Sequence, residues 1–238
     1  MDGYGVGRTV TAKGIQMAFK TIIVEIDDHV AVIKLNRPDA LNALNSELMG
    51  ELATALREAE ANEKVRCTII TGSEKAFAAG ADISEFAGME SLDAHRFAAR
   101  GQAVFTSIEN TPKPVVAAVN GFAVGAGCMM ALACDIRIAS ENAQFGIPEI
   151  KLGIPSGMGA PQRLPGLIPF GAAMEMLLTG RRVSAAEALS FGLIGRVVED
   201  GKALETALEL DPEALAQIGK RYERLDQLAM EHLLGVKG

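Results

Sequence analysis

KPVVAAVNGFAVGAGCMMALACDIRIAS, residues 113–140, is the stretch that decides the fold. Pro112 and Pro114 break any helix and bias their neighbours towards extended backbone, so the apolar run Val115–Val119 is predicted as a strand. Gly121, Gly125 and Gly127 then punctuate a tight turn, predicted to lead into a short helix over Cys128–Ala133. Asp135–Ser140 returns to strand. Strand, glycine turn, helix and strand in such close order place the chain in the α/β class.

Reading towards the N-terminus, Ser91–Asn110 is predicted as a helix with Phe97, Val104, Phe105 and Ile108 as its buried stripe. Val65–Thr71 reads as a strand, and GSEKAFAAGADI after it as a loop. Leu48, Leu52, Leu56 and Ala59 recur at helical spacing, so a helix spans about Ser46 to Ala61, capped by Asn45 or Ser46. Thr21–Ile26 and Val30–Leu35, joined through Asp27-Asp28-His29, form a hairpin. Towards the C-terminus, Ser184-x-x-Glu187 is a capping box for a helix that Gly192 closes. Asp211 and Pro212 start an amphipathic helix with Leu215, Ile218, Tyr222, Leu225 and Leu228 on one face. The organisation expected is a flexible leader over residues 1–16, a core over 17–200 and a helical segment over 201–238 that serves oligomerisation.

Composition narrows the function. A net charge of −7 argues against nucleic acid or an anionic membrane as the main partner, and no apolar run reaches membrane-spanning length. Cys67, Cys128 and Cys134 form no CxxC pattern and suit reduced, buried thiols in the cytoplasm. His29, His95 and His232 are scattered, so no metal site is expected. GFAVGAG does not fit GxGxxG, which argues against a dinucleotide loop.

Five segments together resemble the crotonase superfamily, the enoyl-CoA hydratase/isomerase family, in order and spacing. They are LNRPDALNAL (35–44), KAFAAGADISEF (75–86), the 113–140 stretch, AQFGIPEIKLGI (143–154), and QRLPGLI with MLLTGRRVSAAEALSFGLI (162–168 and 176–194). The resemblance implies a spiral of ββα units with a C-terminal helical segment, assembled as a homotrimer or a dimer of trimers. It also implies an acyl-CoA thioester as substrate, with coenzyme A arriving as part of that substrate and no separate cofactor.

The family stabilises an enolate oxygen with two backbone amides, and the matching positions here are Ala81 and Ala126. Gly80, Gly125 and Gly127 let the backbone approach closely, and a donor fixed in advance is commonly worth about 3–4 kcal/mol to the transition state. The family's second glutamate matches Glu149, preceded by Pro148. Its first glutamate is replaced by Met129, which neither ionises nor holds water. Ser156, in a segment that departs from the family by carrying Pro155-Ser156, is expected to reshape the loop entering the acyl pocket. Arg37, Lys75, Ala79, Asp82 and Ile83 are the candidates for contact with CoA, Asp82 also being placed to cap the next turn; Glu85 and Glu141 are expected in surface or capping roles.

One carboxylate suffices to move a proton from the α to the γ carbon of an enoyl thioester, and this reading puts that double-bond shift first. Hydration of a 2-enoyl-CoA is the alternative, and a non-catalytic acyl-CoA-binding subunit a further one.

Overall fold

The computed structural model describes residues 8–11, 14–17, 19–86 and 88–216. In chain order, strands β1 (Arg8–Thr11), β2 (Gly14–Met17), β3 (Ile22–Asp27) and β4 (Val30–Leu35) precede helix α1 (Ser46–Ala61). Then come β5 (Cys67–Thr71), β6 (Ala76–Ala78) and α2 (Ser91–Asn110), followed by β7 (Val115–Val119), β8 (Phe122–Val124) and α3 (Ala126–Leu132). The chain continues through β9 (Ile136–Ser140), β10 (Gln144–Gly146), a 3-10 turn (Pro148–Leu152), α4 (Ala160–Leu167) and α5 (Phe170–Thr179). It closes with β11 (Arg182–Ser184), α6 (Ala185–Ser190), β12 (Arg196–Val198) and α7 (Ala203–Leu208).

The strands form two sheets, ordered β1-β2-β3-β4-β5-β7-β9-β12 and β11-β10-β8-β6. Three successive units follow one rule. The first strand of each (β5, β7, β9) enters the large sheet, the second (β6, β8, β10) enters the small one, and helical structure follows. Pairing within the β4-β5-β7-β9-β12 and β6-β8-β10 series is parallel throughout. This is the expected spiral of ββα units.

Packing accounts for the sequence of the central strands. β5 and β7 are buried at every position, as parallel strands covered on both faces must be. Ile70, Ala117 and Ala139 point to the main core with α1, α2 and α3, while Ile69, Val116, Ala118 and Ile138 meet Ala203, Ala207 and Leu215 on the other face. Residues 203–215 of the predicted helical segment therefore cover the chain's own sheet. The predicted apolar positions Ile218, Tyr222, Leu225 and Leu228 lie outside the described residues.

The helices predicted over Ser46–Ala61 and Ser91–Asn110 are present with those bounds, and Asn45 Oδ1 caps α1 by accepting from the Leu48 amide at 2.9 Å. Ser184 Oγ likewise accepts from the Glu187 amide at 3.2 Å. Two expectations change. The loop after β5 contains β6, and the glycine turn after β7 contains β8, with α3 beginning at Ala126 rather than Cys128. Three-residue strands carry too little periodicity to be seen in sequence and exist because partner strands pair with them. In addition, β1 and β2, within the stretch read as a leader, pair with each other and extend the large sheet at β3.

Candidate active site

The two glycine segments run side by side because β6 and β8 are parallel neighbours in the small sheet. Gly80 leaves β6 with φ of +108° and Gly125 leaves β8 with φ of +54°, a region that favours glycine. A Cβ built on Gly125 would stand 3.5 Å from Gly80 Cα and 2.8 Å from Glu149 Oε1. Gly80, Gly125 and Glu149 thus converge on one spot from three separate elements.

Each candidate donor is aimed by the carbonyl of the preceding glycine. In a planar trans peptide the C=O and N–H point in opposite directions. Gly80 C=O accepts from the Leu44 amide at 2.7 Å, so the Ala81 N–H points away from Leu44. Gly125 C=O accepts from the Met129 amide at 3.0 Å, the first bond of α3, so the Ala126 N–H points out of the helix start. Neither amide has a hydrogen-bond acceptor among the described residues. Gly127 seats α3 directly on β6: a Cβ there would lie 2.1 Å from Ala78 O.

Glu149 follows Pro148 in the 3-10 turn after β10, and Gly125 N–H donates to Gly146 O at 2.8 Å, which ties that turn to the start of α3. Its Oε2 is buried with no hydrogen-bond partner. Burial raises the carboxyl above its ordinary pKa, while its own backbone N–H and the Ser156 hydroxyl pull it back down. Among the described residues no neighbouring charge adds to that shift. Met129 is 1 % exposed on α3 and brings no second acid. Cys128, beside it in α3, has its thiol pushed up to about 12 by burial, which leaves it an un-ionised apolar neighbour.

The remaining candidates divide. Asp82 Oδ2 pairs with Arg37 Nη2 at 2.8 Å, and Asp82 Oδ1 accepts from the Ser84 amide and hydroxyl, capping the short turn over Ile83–Glu85. The Ser84 hydroxyl first, and Arg37 after it, hold the Asp82 carboxyl below its usual range. Ala79 N–H donates to Leu41 O at 3.0 Å. Ile83 is exposed, and Lys75 is exposed at the opposite end of β6 from Gly80.

Two features escaped the sequence reading. Asn42, fully buried with φ of +57°, donates from Nδ2 to Ala76 O and Phe77 O, and the LNRPDALNAL motif was its only signal. Glu85 caps α1 from a distant segment, accepting from the Ser46 amide and hydroxyl at 2.9 Å. That role fits the capping expected of it, but its partner was not readable from local sequence.

Comparison with known proteins identifies the family. Residues 25–233 match the enoyl-CoA hydratase/isomerase family. The chain is 46% identical over 195 residues to a short-chain-enoyl-CoA hydratase of Clostridium acetobutylicum, covering 82% of this chain and 75% of that protein. It is 42% identical over 214 residues to a crotonyl-CoA hydratase of Syntrophomonas wolfei, covering 90% of this chain and 82% of that protein. The crystal structure of an enoyl-CoA hydratase from Bacillus anthracis superposes with a TM-score of 0.82 at 36% identity over 92% of both chains. Sequence motifs, fold and relatives agree: the chain belongs to the enoyl-CoA hydratase/isomerase family.

Proposed function

We propose that this chain acts on an enoyl-CoA thioester, with Glu149 as its acid–base group and the Ala81 and Ala126 amides as oxyanion donors, and that hydration of a short 2-enoyl-CoA is the reaction. The convergence of Gly80, Gly125 and the Glu149 carboxyl, whose buried Oε2 has no partner, on one spot carries this reading. The relatives named above are hydratases, which reverses the order set by sequence, where the double-bond shift came first.

In the hydration step, ionised Glu149 takes a proton from water as the water oxygen bonds to C3. The double-bond electrons move onto the thioester oxygen, where two amides stabilise the enolate. Glu149 then returns the proton to C2, so one carboxylate serves as base and acid in turn and is regenerated. Coenzyme A enters as part of the substrate. The buried Met129 favours a second reading, the 3-enoyl to 2-enoyl shift, which needs no activated water and runs through a dienolate whose oxygen the same two amides would hold.

NMR of the protein with crotonyl-CoA and, separately, 3-hexenoyl-CoA in deuterated water distinguishes these. Formation of 3-hydroxybutyryl-CoA supports hydration; conversion of the 3-enoyl thioester alone supports the shift; binding without either reaction points to a non-catalytic subunit. If hydration is limited by the missing acid, Met129→Glu raises its rate, and an unchanged or lower rate counts against that limitation.

Exposed apolar residues on α4, α5 and their surroundings, Leu167, Phe170 and Leu178 among them, support a homotrimer or dimer of trimers. The three free, buried cysteines fit a cytoplasmic setting.

A further inference from the structure

Two side chains offered by the sequence for contact with CoA, Arg37 and Asp82, are engaged with each other. Ala81 is joined to Leu44 by an isolated parallel bridge: the Leu44 amide donates to Gly80 O at 2.7 Å, and the Asp82 amide donates to Leu44 O at 3.0 Å. That bridge alone sets the plane of the peptide that carries the Ala81 N–H. Arg37 spans it. Its Nη1 donates to Ala43 O, next to Leu44, and its Nη2 pairs with Asp82 Oδ2, next to Ala81, at 2.8 Å. The other end of Arg37 is fixed as well, since its backbone amide donates to Asn42 Oδ1 at 2.9 Å while Asn42 holds the carbonyls of β6.

We propose that the Arg37–Asp82 ion pair is a positioning device for the Ala81 amide, cross-linking both sides of the Leu44–Ala81 bridge so that this oxyanion donor stays aimed at the substrate carbonyl. Both side chains are largely withdrawn from water, at 22% and 15% exposure. Ion pairs so placed return little net stability, because desolvation offsets the attraction. What they supply is a directional link, and the planar guanidinium holds a carbonyl and a carboxylate in one rigid fork, a geometry that the rotatable ammonium of lysine does not fix. The inference rests on the reading of Ala81 as an oxyanion donor.

The test uses Arg37→Met, Asp82→Asn and the milder Arg37→Lys in the full chain, with Glu149→Gln in parallel. Two quantities are read: kcat and KM on the enoyl-CoA that the NMR experiment identifies, and the infrared carbonyl band of bound crotonyl-CoA labelled with 13C at the thioester. A misaimed donor predicts kcat lower by about 10- to 100-fold, KM within about threefold, and a band shifted back towards that of free thioester. Arg37→Lys, which keeps the charge without the rigid fork, falls between the wild type and Arg37→Met in both readouts. A tenfold rise in KM with kcat and the band retained overturns the proposal and returns Arg37 to the CoA. Unchanged kcat and band in folded Arg37→Lys and Asp82→Asn also overturn it. Should Arg37→Met fail to fold, those two variants still decide. Turnover retained in Glu149→Gln would instead remove the reading of the site itself. Glu149→Gln inactive beside fully active pair variants removes only the positioning role.

Discussion

At the scale of single residues, Glu149 combines two properties that work against each other. The site needs its charge, and burial opposes that charge. Glu149→Gln keeps the shape, removes the proton carrier, and should lower turnover by about 100- to 10,000-fold in a direct assay. The raised pKa also fixes a sign for stability. The folded chain holds the proton more tightly than the unfolded chain, so folding is penalised as pH rises from the ordinary carboxylate value through the folded one, and the penalty is full above it. Glu149→Gln should therefore leave the melting temperature unchanged at low pH, below the ordinary carboxylate value, and raise it at neutral pH; a neutral-pH fall would contradict the assignment. Gly125→Ala tests the convergence from the other side. Its Cβ would stand 2.8 Å from Glu149 Oε1 at a φ of +54°, so the carboxylate must move. Activity should fall at least tenfold while the chain still folds, checked by kinetics beside circular dichroism.

At the scale of elements, the site depends on how helix starts are fixed. Helix α1 has two caps of different origin, Asn45 within its own segment and Glu85 from the segment that follows Ala81. Glu85 contributes charge-assisted bonds to the Ser46 amide and hydroxyl and so joins α1 to the donor loop. Glu85→Ala is expected to lower stability by about 1 kcal/mol in denaturant unfolding, the scale of a lost cap. Because Ser46 keeps its neighbour Asn45, α1 itself persists, and unchanged stability would show that the link is idle. Helix α3 depends on contact rather than capping, since Gly127 leaves no room for a side chain against Ala78.

At the scale of the whole molecule, the central strands β5 and β7 of the large sheet are covered on both faces by the chain itself, while α5 and its flanks are not. Phe170 and Leu178 are 68% and 65% exposed, more than isolated surface residues need explain when they share one helix. Light scattering should find a trimer or a multiple of it. Leu178→Glu with Phe170→Glu should shift the mass towards the monomer if this face forms the contact. A wild-type monomer would contradict the assembly proposed above.

What the sequence determined by itself was the two longest helices, α1 and α2, and the candidates for the chemistry. Period, prolines and caps bound α1 and α2, because a helix of several turns repeats its apolar signal. Glu149, Ala81 and Ala126 entered as candidates through the resemblance of their motifs to the family. Tertiary structure alone decided three things. It set the small strands β6 and β8, which are too short to carry a period and form only against each other and β10. It paired Arg37 with Asp82, because residues 45 positions apart meet only when residues 37–44 dock beside the segment that leaves β6. It buried the Glu149 carboxyl with Oε2 left unpartnered, and desolvation depends on every atom packed around a group, which no local stretch of sequence records.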